Sequence, residues 1–158
     1  MIFLTVGTQL PFDRLVAAVD EIAATLSEPV VAQIGVTQYQ PKHLDWHASL
    51  SPQQFDGFLS QARLLIAHAG TGTVLAAKRH TKPIIVFPRQ SSLGEHRNDH
   101  QLATCKHLEN TPGVYIAYEP QDLARLIAKN DLVPASDDPD SPRRLALLSN
   151  LQAYFTNP

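Results

Sequence analysis

Short, wholly apolar runs alternate along this chain with longer stretches whose apolar residues recur every three or four positions. Ile2, Phe3, Leu4, Thr5 and Val6 form the first run, cut off by Gly7, and read as a strand buried on both faces. Pro11 then opens a predicted helix, because its missing N–H costs nothing in a first turn. Phe12, Leu15, Val16, Val19, Ile22, Ala23 and Leu26 line one side of that helix. Residues 30–34 repeat the strand pattern and end at Gly35, and a weaker strand is expected within 44–50. Ser51-Pro52 is a cap followed by a first-turn proline, and Phe55, Phe58 and Leu59 give the next helix its buried face.

The alternation continues. Residues 64–67, 84–87 and 114–117 read as strands, and 74–79, 99–108 and 120–129 as helices. A glycine-bearing turn at 68–73 and a polar loop at 89–97 join them. Short connections between alternating strands and helices predict right-handed βαβ units, hence an α/β fold: a Rossmann-like parallel sheet with helices on both faces. Residues 1–130 are expected to form this domain. Prolines and aspartates mark 131–142 as a linker, and 143–158 as a C-terminal helix with Leu145, Leu148, Leu151 and Phe155 along one side. That helix either docks a partner or folds back on the domain. Ligands of such sheets sit beyond the carboxyl ends of the strands, where every glycine-bearing turn of this chain falls.

Composition narrows the chemistry. The 158 residues suit one domain, and 44% hydrophobic with 18% charged residues make it globular. A net charge of −2 argues against nucleic acid as a partner, which needs a basic face. No apolar run approaches the roughly 20 residues of a membrane span, and no leader pattern follows Met1, so a cytoplasmic protein is expected. A single cysteine, Cys105, excludes an internal disulfide and a finger-type zinc site.

The strongest motif is Ala67-His68-Ala69-Gly70-Thr71-Gly72-Thr73, between a strand and a helix. Its glycines let the backbone approach a ligand, and the following helix offers free N–H groups to an anion. The same residues also make a plain tight turn with a threonine cap. The motif lacks the Gly-Lys-Ser/Thr of a phosphate-binding loop and the third glycine of the dinucleotide fingerprint. Gly7-Thr8-Gln9 and Gln33-Ile34-Gly35 close the first two strands on the same edge and suggest a cleft floor. In the polar loop, Arg89 and Arg97 suit phosphate or a sugar carboxylate. Glu95, Asp99 and Gln101 suit hydroxyls. His96 and His100, four apart, could hold a metal with Asp99, although no His-Glu-x-x-His order is present. His68 can bond a phosphate or sugar, or simply orient its loop. His43, His47, His80 and His107 read as surface residues, Cys105 and Trp46 as packing, and no Gly-x-Ser-x-Gly elbow supports a hydrolase triad.

Taken in order, residues 3–16, Ala32-Gln33-Ile34-Gly35, His68-Ala69-Gly70-Thr71-Gly72-Thr73, Lys82-Pro83-Ile84-Ile85-Val86, Leu93-Gly94-Glu95-His96 and Asp99-His100-Gln101 resemble the glycosyltransferase family 28 C-terminal domain in its stand-alone form. That form occurs in the bacterial exopolysaccharide subunit PssE and in the cytosolic subunit of the dolichol-pathway N-acetylglucosaminyltransferase. The resemblance implies half of a GT-B architecture: the donor-binding subunit of a two-component inverting glycosyltransferase. UDP-N-acetylglucosamine or UDP-glucuronate is the implied donor. A membrane-anchored, PssD-like subunit would bind the polyprenyl-diphosphate-linked acceptor and hold this chain at the inner membrane face. Gly7, Thr8, Gln9, Gly70, Thr71, Gly72 and Thr73 would surround the diphosphate and sugar, with His100 and Gln101 near the sugar. No cofactor and no metal are implied. The general base would come from the partner, His68 being the one candidate here. Relatives place Glu or Asp six residues after the first glycine to grip the ribose, whereas this chain has Ala76. That departure keeps a second reading open, a non-catalytic stabilising or regulatory subunit.

Overall fold

β1 (Ile2–Thr5) is buried at every position, and its side chains serve two cores in alternation. Ile2 and Leu4 pack under one helical layer and Phe3 under the other. Both faces of the strand are therefore apolar, the condition for a central parallel strand. The computed structural model describes residues 1–136. Within them β1 is followed by α1 (Asp13–Ala23), β2 (Val30–Gln33), β3 (Asp45–His47), α2 (Pro52–Gln61), β4 (Leu64–His68) and α3 (Thr71–Arg79). β5 (Ile84–Phe87), α4 (His100–Leu108), β6 (Val114–Ile116) and α5 (Pro120–Ile127) complete the described chain.

All pairings are parallel, and the sheet order is β3-β2-β1-β4-β5-β6. The chain builds outward from β1 to β3, then returns to β1's other side and builds outward again to β6. Connections therefore diverge between β1 and β4, which opens a crevice above their carboxyl ends. The expected Rossmann-like fold is the one observed.

Several boundaries differ from the sequence reading. α1 begins at Asp13, not at Pro11, because the carbonyls of Leu10 and Pro11 accept from the Arg89 side chain. α1 also stops at Ala23; the amides of Thr25 and Leu26 close tight turns onto Ile22 and Ala23. α3 starts earlier than expected, at Thr71, so Gly72 lies in its first turn. The polar loop contains a 3-10 turn at Ser91–Leu93, ended by Gly94 at φ +70°. α2 has the expected start, a capping box of Ser51 and Gln54 with Pro52 in the first turn.

Two carboxylates of α1 organise the β2–β3 connection. Asp20 is 1% exposed and accepts from the amides of Lys42 (3.0 Å) and His43 (2.7 Å) and from the Tyr39 hydroxyl (2.9 Å). Burial alone raises its pKa, but those donors outweigh it and hold Asp20 below the ordinary carboxylate range. Asp13 accepts from Thr37 Oγ1 at 2.6 Å and the Gln38 amide at 3.1 Å.

The stretch expected as a linker begins packed. Ala135 is fully buried, its amide donates to the Lys82 carbonyl (3.1 Å), and a Cβ on Gly113 would lie 2.1 Å from the Ala135 nitrogen. The rest of that stretch and the helix expected within 143–158 lie outside the described residues.

Candidate functional site

Above the β1/β4 divergence lies an open cleft of about 410 Å³. One wall is the β1–α1 loop, where Gly7 takes φ +80°, a conformation that costs an L side chain roughly 1 kcal/mol or more. Thr8 and Gln9 follow it, exposed and facing the same space. The opposite wall is the start of α3, contributed by Gly70, Gly72 and Thr73. No side chain caps α3. The Thr73 and Val74 amides turn back to the Gly70 carbonyl at 3.2 and 3.3 Å, and the N–H groups of Thr71 and Gly72, at the very start of the helix, have no acceptor within it. With no acidic residue in that first turn, the helix end carries an uncompensated partial positive charge.

His68 joins the two walls. Its ring fills the gap between the glycines: a Cβ on Gly70 would lie 2.4 Å from His68 Nε2, and one on Gly7 2.9 Å from Cε1. Burial, assisted by the charges of Arg89 and His96, lowers its pKa to about 4, so the ring is neutral at pH 7. The Thr5 backbone is near enough to favour a proton on the ring, yet no partner meets hydrogen-bond geometry at the buried Nδ1. A neutral imidazole of such low basicity is a poor general base at neutral pH.

The third side comes from the loop after β5 and the start of α4. Arg89 lines the cleft but is only 3% exposed. Its Nη2 donates to the carbonyls of Val6 (2.9 Å) and Leu10 (2.7 Å), its Nη1 donates to the Pro11 carbonyl, and its guanidinium lies 4.4 Å from the Phe12 ring centre. This differs from the expected anion-reaching arginine, because backbone carbonyls of the opposite loop already occupy its fork. Glu95, expected to meet hydroxyls, is instead paired with Arg14 through two bonds of 2.7 and 2.9 Å, and it also accepts the Gln90 amide. Asp99 accepts the Ser91 amide at 2.9 Å, which lowers its pKa, and so stands as a loop brace.

Gln101 keeps a place in the cleft, with its Oε1 accepting the Arg89 amide at 3.0 Å and its amide nitrogen left to donate. His96 lines the cleft as well, its Nδ1 accepting the Asn98 amide at 3.4 Å. Thr71 and His100 are exposed just outside the lining, and Arg97 lines a neighbouring hollow with Leu10 and Leu93. Gln33 and Gly35 do not line the cleft. Gln33 is buried in β2, accepting from Thr5 Oγ1 at 3.4 Å, and Gly35 (φ +63°) sits where a Cβ would come 3.1 Å from the Gly7 carbonyl. Both back the Gly7 turn from behind. Among the described residues no group of three His, Cys, Asp or Glu side chains could hold a metal, so His96, Asp99 and His100 do not converge. Arg14 was not anticipated as a site residue; the sequence carries no signal that pairs it with a residue 81 positions away.

Comparison with known proteins follows the same lines. The glycosyltransferase family 28 C-terminal domain matches residues 1–143. No curated protein matches. Among solved structures, the NMR structure of ALG13 aligns with a TM-score of 0.61 at 19% identity over 93% of this chain and 94% of its own. The glycotransferase of kitacinnamycin gives 0.60 at 21% identity, covering 96% of this chain and 39% of that one. SsfS6 from Streptomyces sp. SF2575, solved with thymidine diphosphate, gives 0.56 at 18% identity over 83% of this chain and 33% of its own. At these identities the likeness is one of fold. The chain spans about two fifths of the kitacinnamycin enzyme.

Proposed function

The chain belongs to the glycosyltransferase family 28 C-terminal domain family, and on that premise we propose that it is the donor-binding subunit of a two-component inverting glycosyltransferase. The observation that carries this reading is the convergence of an uncapped helix N-terminus, α3, and a positive-φ glycine turn on one open cleft at the sheet's divergence point. Such a site suits a diphosphate: the first-turn amides bond its oxygens, and their field needs no reorganisation as charge grows. The donor is a UDP-sugar, UDP-N-acetylglucosamine or UDP-glucuronate. An acceptor hydroxyl attacks the anomeric carbon from the open side; the bond from that carbon to the diphosphate oxygen breaks, and UDP leaves with the negative charge held at α3.

The open side supports a second wall from another polypeptide. A membrane-anchored, PssD-like subunit would present a polyprenyl-diphosphate-linked sugar and supply the general base, a role for which the low basicity of His68 is unsuited. Among the described residues no helix is long and apolar enough to cross a membrane. Gln101, with its oxygen oriented by the Arg89 amide, offers its N–H donors to the sugar.

One observation favours the second reading, a non-catalytic stabilising subunit. Ala76, at the position where relatives grip the ribose, is 5% exposed and packs in the apolar layer beneath α3. An amide-shift NMR titration with UDP, UDP-N-acetylglucosamine and UDP-glucuronate separates the two. The donor reading expects shifts at Gly7–Gln9, Gly70–Thr73 and Gln101, larger for one sugar. Shifts absent from all of these at millimolar ligand, with and without the partner, would leave the stabilising role.

A further inference from the structure

We propose that Arg89 is the positioning residue of the cleft: its guanidinium ties the β1–α1 loop to the loop after β5 and so fixes the glycine turn in a ligand-ready shape. This rests on the donor-binding reading and extends it to a residue that touches no ligand. Three carbonyls of the β1–α1 loop hang on one side chain. The carbonyls of Val6 and Leu10, at 2.9 and 2.7 Å, accept from Nη2, and that of Pro11 accepts from Nη1. These carbonyls bracket Gly7, Thr8 and Gln9, the segment that forms the cleft wall.

The other end is equally fixed. The Arg89 amide donates to Gln101 Oε1 at 3.0 Å, and its guanidinium stacks over Phe12, the residue that precedes α1. No carboxylate touches the guanidinium among the described residues: burial lowers its proton affinity and the Glu95 charge only partly offsets this, while the Glu95 carboxylate is itself paired with Arg14 and the Glu95 backbone carbonyl accepts from Nη1 at 3.5 Å. A planar fork can reach three carbonyls set at different angles, whereas an ammonium on a flexible stem cannot hold all three at once. Val6 and Phe12 anchor the ends of the loop in the core, but Thr8, Gln9 and Leu10 between them are exposed and make no apolar anchor for the glycine turn. Without the fork its amides would sample many orientations, and ligand binding would carry the entropy of ordering them.

The test compares Arg89→Lys, which keeps the charge and loses the fork, with Arg63→Ala. Arg63 makes similar bonds, to Glu28 and the Ile127 carbonyl, at the opposite edge of the sheet. Backbone ¹⁵N relaxation of the full chain is measured alongside UDP affinity and urea unfolding. In Arg89→Lys the order parameters of Gly7–Leu10 are expected to fall from about 0.85 to below 0.6, with UDP affinity falling about tenfold or more. Arg63→Ala should lose stability while keeping both loop order and affinity. Unchanged loop order in Arg89→Lys overturns the proposal, as does a disordered loop with wild-type affinity. If wild type fails to bind UDP both alone and with its partner, the donor reading falls, and the relaxation data alone decide whether Arg89 holds the loop. Should Arg89→Lys not fold, Gln101→Ala releases the Arg89 amide and should raise mobility at Arg89 and Gly7–Leu10; no rise would overturn the proposal.

Discussion

Adding one methyl group at Gly70 should collide with the His68 ring, and the size of the penalty follows from the geometry. The Gly70 backbone, at φ −98° and ψ 133°, is open to any L residue, so no backbone strain contributes. The new Cβ would stand 2.4 Å from His68 Nε2, about 1 Å inside ordinary contact. The ring has little room to yield, because Gly7 packs against it on the other side and its Nδ1 is buried. Overpacking of this kind costs about 1–3 kcal/mol. Removing the ring first should abolish the penalty: in a His68→Ala background, Gly70→Ala should be neutral or gain about 0.4–1 kcal/mol from a stiffer unfolded chain. Urea unfolding of the wild type, both single variants and the double variant gives the coupling energy, expected at about 1–3 kcal/mol. Gly7→Ala serves as the contrast, since its φ of +80° penalises the methyl in either background. Equal costs for Gly70→Ala with and without His68 would refute the picture of a ring slotted between two glycines.

His68 also predicts a pH dependence. Its folded pKa of about 4 lies below the unfolded value of about 6.5, so the unfolded chain binds more protons between them. Stability should be full above pH 6.5 and fall as pH drops toward 4, by an amount on the order of 3 kcal/mol that His68→Phe removes; an unchanged pH profile in that variant contradicts this. Asp20→Ala should cost roughly 2–4 kcal/mol, since it strands the amides of Lys42 and His43, and hydrogen exchange at those two amides should quicken. The Asp20 contribution to wild-type stability should persist above about pH 4 and disappear on further acidification, as expected for a depressed carboxylate. Cys105, fully buried with its thiol pKa pushed up to about 12, should react with a thiol reagent only at the rate of global opening. Rapid labelling in native buffer would show that α4 opens by itself.

The centre of the sheet was readable because β1, β2, β4 and β5 are buried on both faces, and a run such as Leu64-Leu65-Ile66-Ala67 has no polar residue to confuse the period, whereas β3, largely exposed, gave only a weak signal. The cleft edge followed from the topology rule together with the glycine turns. What the sequence could not show is where long-range polar partners meet. Arg89 looked like an anion ligand because nothing local marks its acceptors, which are backbone carbonyls 78 to 83 positions away. The start of α1 was misplaced for the same reason: Pro11 is a good first-turn residue, but its carbonyl is held by that arginine. Glu95 reads as a partner for hydroxyls until the fold brings it against Arg14. Gln33-Ile34-Gly35 has the pattern of the other turns, yet β2 places it one strand to the side of the β1/β4 divergence, outside the cleft lining.

Isothermal titration of uridine, UMP and UDP at low salt tests whether this chain grips a nucleotide through its diphosphate. Affinity should climb with each phosphate, uridine should bind weakest, and Gly70→Val should abolish UDP binding while circular dichroism stays native. Equal affinity for uridine and UDP, or normal UDP binding by Gly70→Val, would contradict the assignment of the glycine turn and the α3 N-terminus as the diphosphate site.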